Sequence, residues 1–350
     1  MIRAESRLWF LAVRIRRRRP THWLKMVFAQ PGRASHTFLI CGLGFWRLAQ
    51  ARRFQQRRIM GTRLKDKVAI VTGGGTGIGE AICKKFAREG AKVVVSGLPG
   101  DPIDEVAKAI INDGGEAMAF AADISEEVAA RACIDAAIKR YGRLDVLINN
   151  AGVLLANAET DDMPTEMFDE HFRCNVRTTF LMTKYALPHL RQTRGNIISA
   201  GSEAGVNGQP RNTPYGGTKA FLHAFMMGVA VEQAHYGVRA NCVAPGPIDT
   251  AWTHKESGAV DADIEKALVS AVPFGRRGTP AEVASVYAFL ASDEASYVNG
   301  AVWLVDGGIT PAKGAIGALA GNEVSTPPTD NLDLQHSRDG LKDKELVKIK

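Results

Sequence analysis

The chain has 350 residues, 45% hydrophobic and 23% charged, which suits one globular domain of ordinary enzyme size plus appendages. Its five cysteines, Cys41, Cys83, Cys133, Cys174 and Cys242, lie far apart; this argues against a disulfide framework or a cysteine metal site and points to a reducing, cytoplasmic setting. The net charge of +7 is unevenly placed: residues 1–59 hold 14 Lys/Arg against Glu5 alone, whereas the remainder holds 30 bases against 36 acids, so the charge does not point to nucleic acid as partner.

The first 59 residues combine a basic run, "RIRRRRPTHW", with a short apolar run, "TFLICGLGFW", too short to span a bilayer comfortably. Their Arg-rich, acid-poor composition is that of an organelle transit segment, and "AQA" at 49–51 loosely imitates a secretory cleavage site. Alternatively the chain proper starts at Met60, since "MGTRLKDKVAIVTG" reads as a complete beginning. The expectation is a basic extension (1–59) that is disordered, removed or a mis-assigned start, with organelle targeting or membrane association as its functional alternatives.

From Lys67 onward, apolar β-rich runs alternate with helical patterns. The runs are "VAIVTG" (68–73), "AKVVVSG" (91–97), "EAMAFAAD" (116–123), "LDVLINN" (144–150), "GNIISAG" (195–201), "VRANCVAPG" (238–246) and "AVWLVDGG" (301–308). Near-continuous hydrophobicity is the mark of strands buried on both faces of a parallel sheet. Between them apolar residues recur at helical spacing, as in Phe168, Phe172, Val176 and Phe180. The pattern predicts an α/β fold: a single doubly wound Rossmann-type domain over residues 60–310, its seven-stranded parallel sheet flanked by helices. Residues 311–350 form a Gly/Ala/Pro-rich, then charged C-terminal arm, expected to be poorly ordered or to pack on a neighbouring subunit.

"TGGGTGIG", Thr72 to Gly79, joins the first strand to the helical "EAICKKFAREG". A glycine-rich turn running into a helix N-terminus suits a pyrophosphate, because unpaired N–H groups point at it and the helix dipole favours its charge. The spacing is not G-x-G-x-x-G in any register. Further on, "NTPYGGTKAF" places Tyr215 and Lys219 one helical turn apart on the same face. An ammonium beside a phenol favours the phenolate, so the tyrosine pKa is expected to fall below its usual value. The structural alternatives are an ordinary Gly-rich loop and an aromatic that opens a helix.

Several motifs stand in register with the strand order: Thr72-Gly73-x3-Gly77-x-Gly79, "NNAG" (149–152), Asn175 inside "FRCNVRTTF", Ser202 thirteen residues before Tyr215, Y-x3-K, and "PGPIDT" (245–250). In this combination residues 64–309 resemble the short-chain dehydrogenases/reductases, in their compact, non-extended branch. The resemblance implies a catalytic set of Asn175, Ser202, Tyr215 and Lys219. Tyr215 is the general acid or base, Lys219 holds the nicotinamide ribose, Ser202 orients the carbonyl oxygen, and Asn175 holds a water of the proton path. It implies cofactor contacts from Thr72, Gly73, Thr76, Gly77, Ile78, Gly79, Gly97, Asp123, Ile124, Asn150, Ala151, Gly152, Tyr215, Lys219, Pro245, Gly246, Ile248 and Thr250.

The cofactor implied is NAD(H) or NADP(H), with the preference open. NAD-preferring members place an acid where this chain has Gly97, and Leu98 and Thr76 stand where NADP forms carry a basic residue; Asp101 is near in sequence. The scattered histidines, His171, His189, His223, His235 and His254, offer no metal set. The function expected is hydride transfer between a secondary alcohol and a ketone or related carbonyl, on a small-molecule substrate, by a homo-oligomer (tetramer or dimer). A catalytically silent dinucleotide sensor or scaffold of the same fold is the alternative. The substrate segment is placed at residues 247–279.

Overall fold

The structure is a computed structural model that describes residues 62–251, 262–313, 321, 326–328 and 332–336, together with the two-residue strands Lys25–Met26 and Phe38–Leu39, which pair antiparallel. The chain divides into two compact units, Met1–Ile59 and Met60–Lys350. The expected basic run and cleavage-like site in 1–59, and Trp252, His254, Lys255 and Glu256 of the expected substrate segment, lie outside the described residues.

In the second unit, seven strands form one sheet: β1 Val68–Thr72, β2 Lys92–Gly97, β3 Glu116–Ala121, β4 Val146–Asn149, β5 Asn196–Ala200, β6 Arg239–Pro245 and β7 Val302–Val305. All neighbours are parallel, in the order β3-β2-β1-β4-β5-β6-β7. Helices cover both faces: α1 Gly77–Arg88, α2 Ile103–Asn112, α3 Glu127–Tyr141, α4 Thr165–His171, α5 Thr178–Thr193, α6 Thr213–Gln233, α7 Ala262–Ala271 and α8 Pro280–Ala291. Between α4 and α5 the same helical path widens into a π-helical turn, Phe172–Arg177. Among the described residues no helix is long and apolar enough to cross a membrane.

The continuous apolar runs of the central strands have a simple cause. Successive side chains point to opposite faces, and here both faces are covered. Ala69 and Val71 of β1, Val93 and Val95 of β2 and Val146 and Ile148 of β4 enter one core, against Ile82 and Phe86 of α1, Ile103 of α2 and Tyr287 of α8. Ile70, Val94 and Leu147, the intervening residues, enter the other, against Ile134 of α3, Met182 and Leu190 of α5 and Leu222 and Met226 of α6. The strand order reverses between β1 and β4, and the loops leaving their carboxyl ends open a crevice there, which is where an open α/β sheet binds ligands.

Of the expected C-terminal arm, residues 311–313, 321, 326–328 and 332–336 are described. Leu332 is buried in the first core, and residues 332–336 pack on this domain's own α1 and α2 rather than standing free of it. The packing is apolar: Leu332 joins the buried core and Leu334 packs against it.

Tyr287 is fully buried, and among the described residues its hydroxyl has no hydrogen-bond partner. A buried polar group left unpaired costs stability, so deleting it relieves that cost. Tyr287→Phe is therefore expected to raise the unfolding free energy by about 1 kcal/mol, read from the midpoint of urea denaturation. A drop of that size instead would show that the hydroxyl is satisfied.

Candidate active site

The crevice is a cavity of about 540 Å³, the size range of small-molecule and cofactor sites. Its floor is built by backbone and by one hydroxyl. Thr72 Oγ1 donates to Ile148 O at 3.2 Å and accepts from the backbone N–H groups of Asn150 and Ala151, each at 2.9 Å. Asn150 Nδ2 returns two bonds, to Thr72 O at 3.1 Å and Gly73 O at 3.2 Å. Thr72 is thus consumed in joining β1 to β4. It is not among the residues that line the cavity, whereas the other residues expected as cofactor contacts do line it.

Helix α1 opens at Thr76, whose side chain makes no capping bond, so its first amides are left to face the crevice. Gly77, at φ +52°, lies across from Thr250; a Cβ there would come within 3.5 Å of the Thr250 side chain and intrude on the space between them. At Gly79 a Cβ would stand 1.9 Å from Gly73 O, so only glycine lets the turn close. Asp123, at the end of the third strand's loop, is bound by Arg173 at 2.8 Å and by Ser125, and these partners hold its carboxyl below the usual range against the opposing effect of burial. A narrow backbone cradle at a helix N-terminus, with a long cavity leading past Ile124 on one side and Thr250 on the other, fits a dinucleotide.

Asp101 shows what stands at the end of β2. Its Oδ2 accepts from the backbone N–H of Leu98 at 2.8 Å, and a Cβ on Gly97 would be only 2.7 Å from that oxygen. The aspartate carboxylate therefore occupies the space that a side chain at 97 would fill, and it lines the cavity. Among the described lining residues the only basic side chain is Lys219.

On the other flank, Tyr215 and Lys219 lie on the first turns of α6 and Ser202 follows β5. The side chains of Tyr215 and Ser202 are hydrogen-bonded. Ser202 Oγ also accepts from Ala204 N at 3.1 Å, capping the short turn that follows. Lys219 Nζ donates to Ala200 O at 2.9 Å and lies 5.5 Å from the centre of the Tyr215 ring. Asn175 sits fully buried in the π-helical turn, behind the cavity wall. It accepts from Val153 N at 2.7 Å and donates to Val153 O and Thr218 Oγ1, both at 3.1 Å, while Thr218 donates to Tyr215 O at 2.7 Å. The four residues expected to act together are thus brought together.

The electrostatics correct one expectation. Tyr215 is not shifted down: desolvation pushes its phenol up to about 12, despite the Ser202 hydrogen bond, with the Glu203 charge adding to the rise. Lys219 faces the ring and a carbonyl, and burial pulls its own pKa down to about 8. One turn of separation gives proximity, but burial sets the sign.

Two histidines that appeared merely scattered in the sequence support this flank. His171, fully buried, donates through Nδ1 to Met167 O at 2.6 Å and accepts from Leu155 N at 3.1 Å, fixing the Val153–Leu155 wall. His223, one turn beyond Lys219 on α6, accepts from Ser202 N at 3.4 Å. Burial lowers both imidazole pKa values, and Lys219 adds to the effect at His223, which preserves their acceptor nitrogens. Their only sequence signal was spacing, four before Asn175 and four after Lys219.

Residues 73–310 match the family model described as enoyl-(acyl carrier protein) reductase, and the chain belongs to the short-chain dehydrogenases/reductases. It is 37% identical over 274 residues to the L-fucose dehydrogenase of Bos taurus, covering 77% of this chain and 99% of that one. To the 3-oxoacyl-[acyl-carrier-protein] reductase of Thermotoga maritima it is 34% identical, covering 71% and 99% of the two chains. The crystal structure of levodione reductase superposes with a TM-score of 0.69 at 31% identity, covering 71% of this chain and 99% of that one. The protein is accordingly an oxidoreductase that acts on small molecules with a nicotinamide dinucleotide.

The buried lysine yields a pH test. Lys219 is a base whose folded pKa, about 8, lies below its unfolded value near 10.5. Holding its charge in the core therefore opposes folding below pH 8, and the penalty fades as pH rises toward 10.5. Lys219→Met should stabilise the fold at pH 7 by about 1–3 kcal/mol, with the gain shrinking above pH 8 in urea titrations at stepped pH. A variant less stable than the parent at pH 7 would contradict this.

Proposed function

We propose that the protein interconverts a secondary alcohol and a ketone with NAD(H), using Tyr215 as the proton donor and acceptor. The observation that carries this reading is the convergence of Tyr215, Ser202 and Lys219 on one end of a cavity whose other end is a helix N-terminus. A nicotinamide dinucleotide bound there supplies or takes up the hydride. Tyr215 gives its hydroxyl proton to the carbonyl oxygen, or receives the proton in the opposite direction. Ser202 orients that oxygen by a hydrogen bond and is itself held by Tyr215, by Ala204 and, through its amide, by His223. With the phenol pKa raised, its neutral form dominates near pH 7, and that is the form that donates a proton to a ketone. Lys219 is placed to serve a ribose diol with its three donors, and Asn175 braces the wall behind it.

Support for NAD(H) over NADP(H) comes from Asp101. A carboxylate that lines this end of the cavity accepts from ribose hydroxyls and repels a 2′-phosphate. The substrate end, walled by Val153, Leu154 and Leu155, suits a compact molecule with an apolar flank. Assembly into a homo-oligomer is supported by the outer faces of α5 and α6, where exposed Phe180 and Phe221 pack around Phe225.

Tyr215→Phe should lower turnover by at least about 100-fold while NADH titration by fluorescence gives an affinity within a few-fold of the parent; near-normal turnover would refute the role. Asp101→Asn should narrow the NADH-over-NADPH affinity ratio about tenfold, measured by calorimetry on the full chain. An unchanged ratio would remove Asp101 from cofactor choice.

A further inference from the structure

Glu80, in the first turn of α1, is fully buried with Lys84 one turn on, 2.9 Å away and 7% exposed. A buried carboxylate needs a full set of partners, and one lysine does not supply it. The remaining donors come from 255 and 256 residues further along the chain. The consecutive backbone N–H groups of Gln335 and His336 donate to the two oxygens of Glu80 at 2.9 and 3.0 Å. Lys84 Nζ in turn donates to Asp333 O at 2.5 Å. Leu332 is 2% exposed in the core beneath, Leu334 packs beside it, and His336 Nε2 lies 3.1 Å from Glu105 on α2. Charge, backbone and apolar contacts thus all read the same five residues.

We propose that the outer side of α1 is a peptide-binding surface for the chain's own residues 332–336, and that this clasp steadies the turn on which the dinucleotide rests. The coupling has a direct route: Glu80 N donates to Thr76 O at 3.0 Å, and Thr76 to Gly79 line the crevice on the turn's inner side. The clasp holds Glu80 from outside while the dinucleotide sits against the same turn from inside. This second half rests on reading the crevice as a dinucleotide site. Because binding couplings are reciprocal, NADH must tighten the arm by the factor with which the arm tightens NADH.

The test uses the full-length chain, hydrogen–deuterium exchange and NADH titration. Expected are slow exchange at the amides of 335 and 336 without NADH, and slower exchange with it. Leu332→Asp should release those amides and weaken NADH about 5-fold or more. His336→Pro removes one donor to Glu80 without touching the core; it should weaken NADH in the same direction and so keeps the test if Leu332→Asp folds poorly. Arm amides exchanging at free-peptide rates would overturn the clasp, whatever NADH does. Protected amides with NADH affinity unmoved in both variants would overturn the coupling, and failure of the parent to bind NADH would overturn the crevice reading instead.

Discussion

A single threonine hydroxyl ties together the two chain segments that leave the sheet where its strand order reverses. Thr72 Oγ1 fills its hydrogen-bonding capacity with one donated and two accepted bonds, all to the carboxyl end of β4. At a strand-order reversal, adjacent connections leave in opposite directions and a crevice opens between them. The stitch holds the glycine turn and the "NNAG" segment at one depth, and Asn150 locks them from the other side. Everything placed on the crevice wall inherits its position from that joint, including Gly152 beside Asn175 and Lys219.

The fold was legible because its cause is local and repetitive. Runs such as "VAIVT" and "KVVVS" are apolar throughout since each successive side chain meets a different helical layer, and the helix-spaced residues between them reveal the layers. Tyr215, Lys219, Ser202 and Asn175 were legible through spacing and the family they resemble. What spacing does not encode is environment. The direction of the Tyr215 shift depends on how much water the folded cavity removes, which only tertiary packing decides. Asp101 takes the place of an acid at position 97 by folding back from a loop, and no periodicity announces that. The arm's docking joins residues 249 to 256 positions apart, and its leucines look no different from those of a flexible tail.

The site also concentrates groups that a stability-maximising sequence would avoid. A buried ammonium, a partly buried phenol and two buried imidazoles share one flank, each shifted by desolvation away from its charged form. The surrounding backbone keeps them hydrogen-bonded through Ala200 O, Ser202, Met167 O and Leu155 N. The strain is tolerated because the two hydrophobic cores on either side are continuous and close-packed. Function here draws on stability that the strands and outer helices supply.

The π-helical turn between α4 and α5 holds one residue more than an α-helical path of the same rise would need. It amounts to a fixed insertion in a long helix, absorbed without breaking it. Removing one residue from 172–177 would let the helix regularise with its flanks close to their present register, but would abolish the wide turn that carries Asn175. The asparagine would then leave the position from which it bonds Val153. Length in this stretch is therefore as constrained as chemistry, and related chains should tolerate substitutions there far more readily than single-residue gaps.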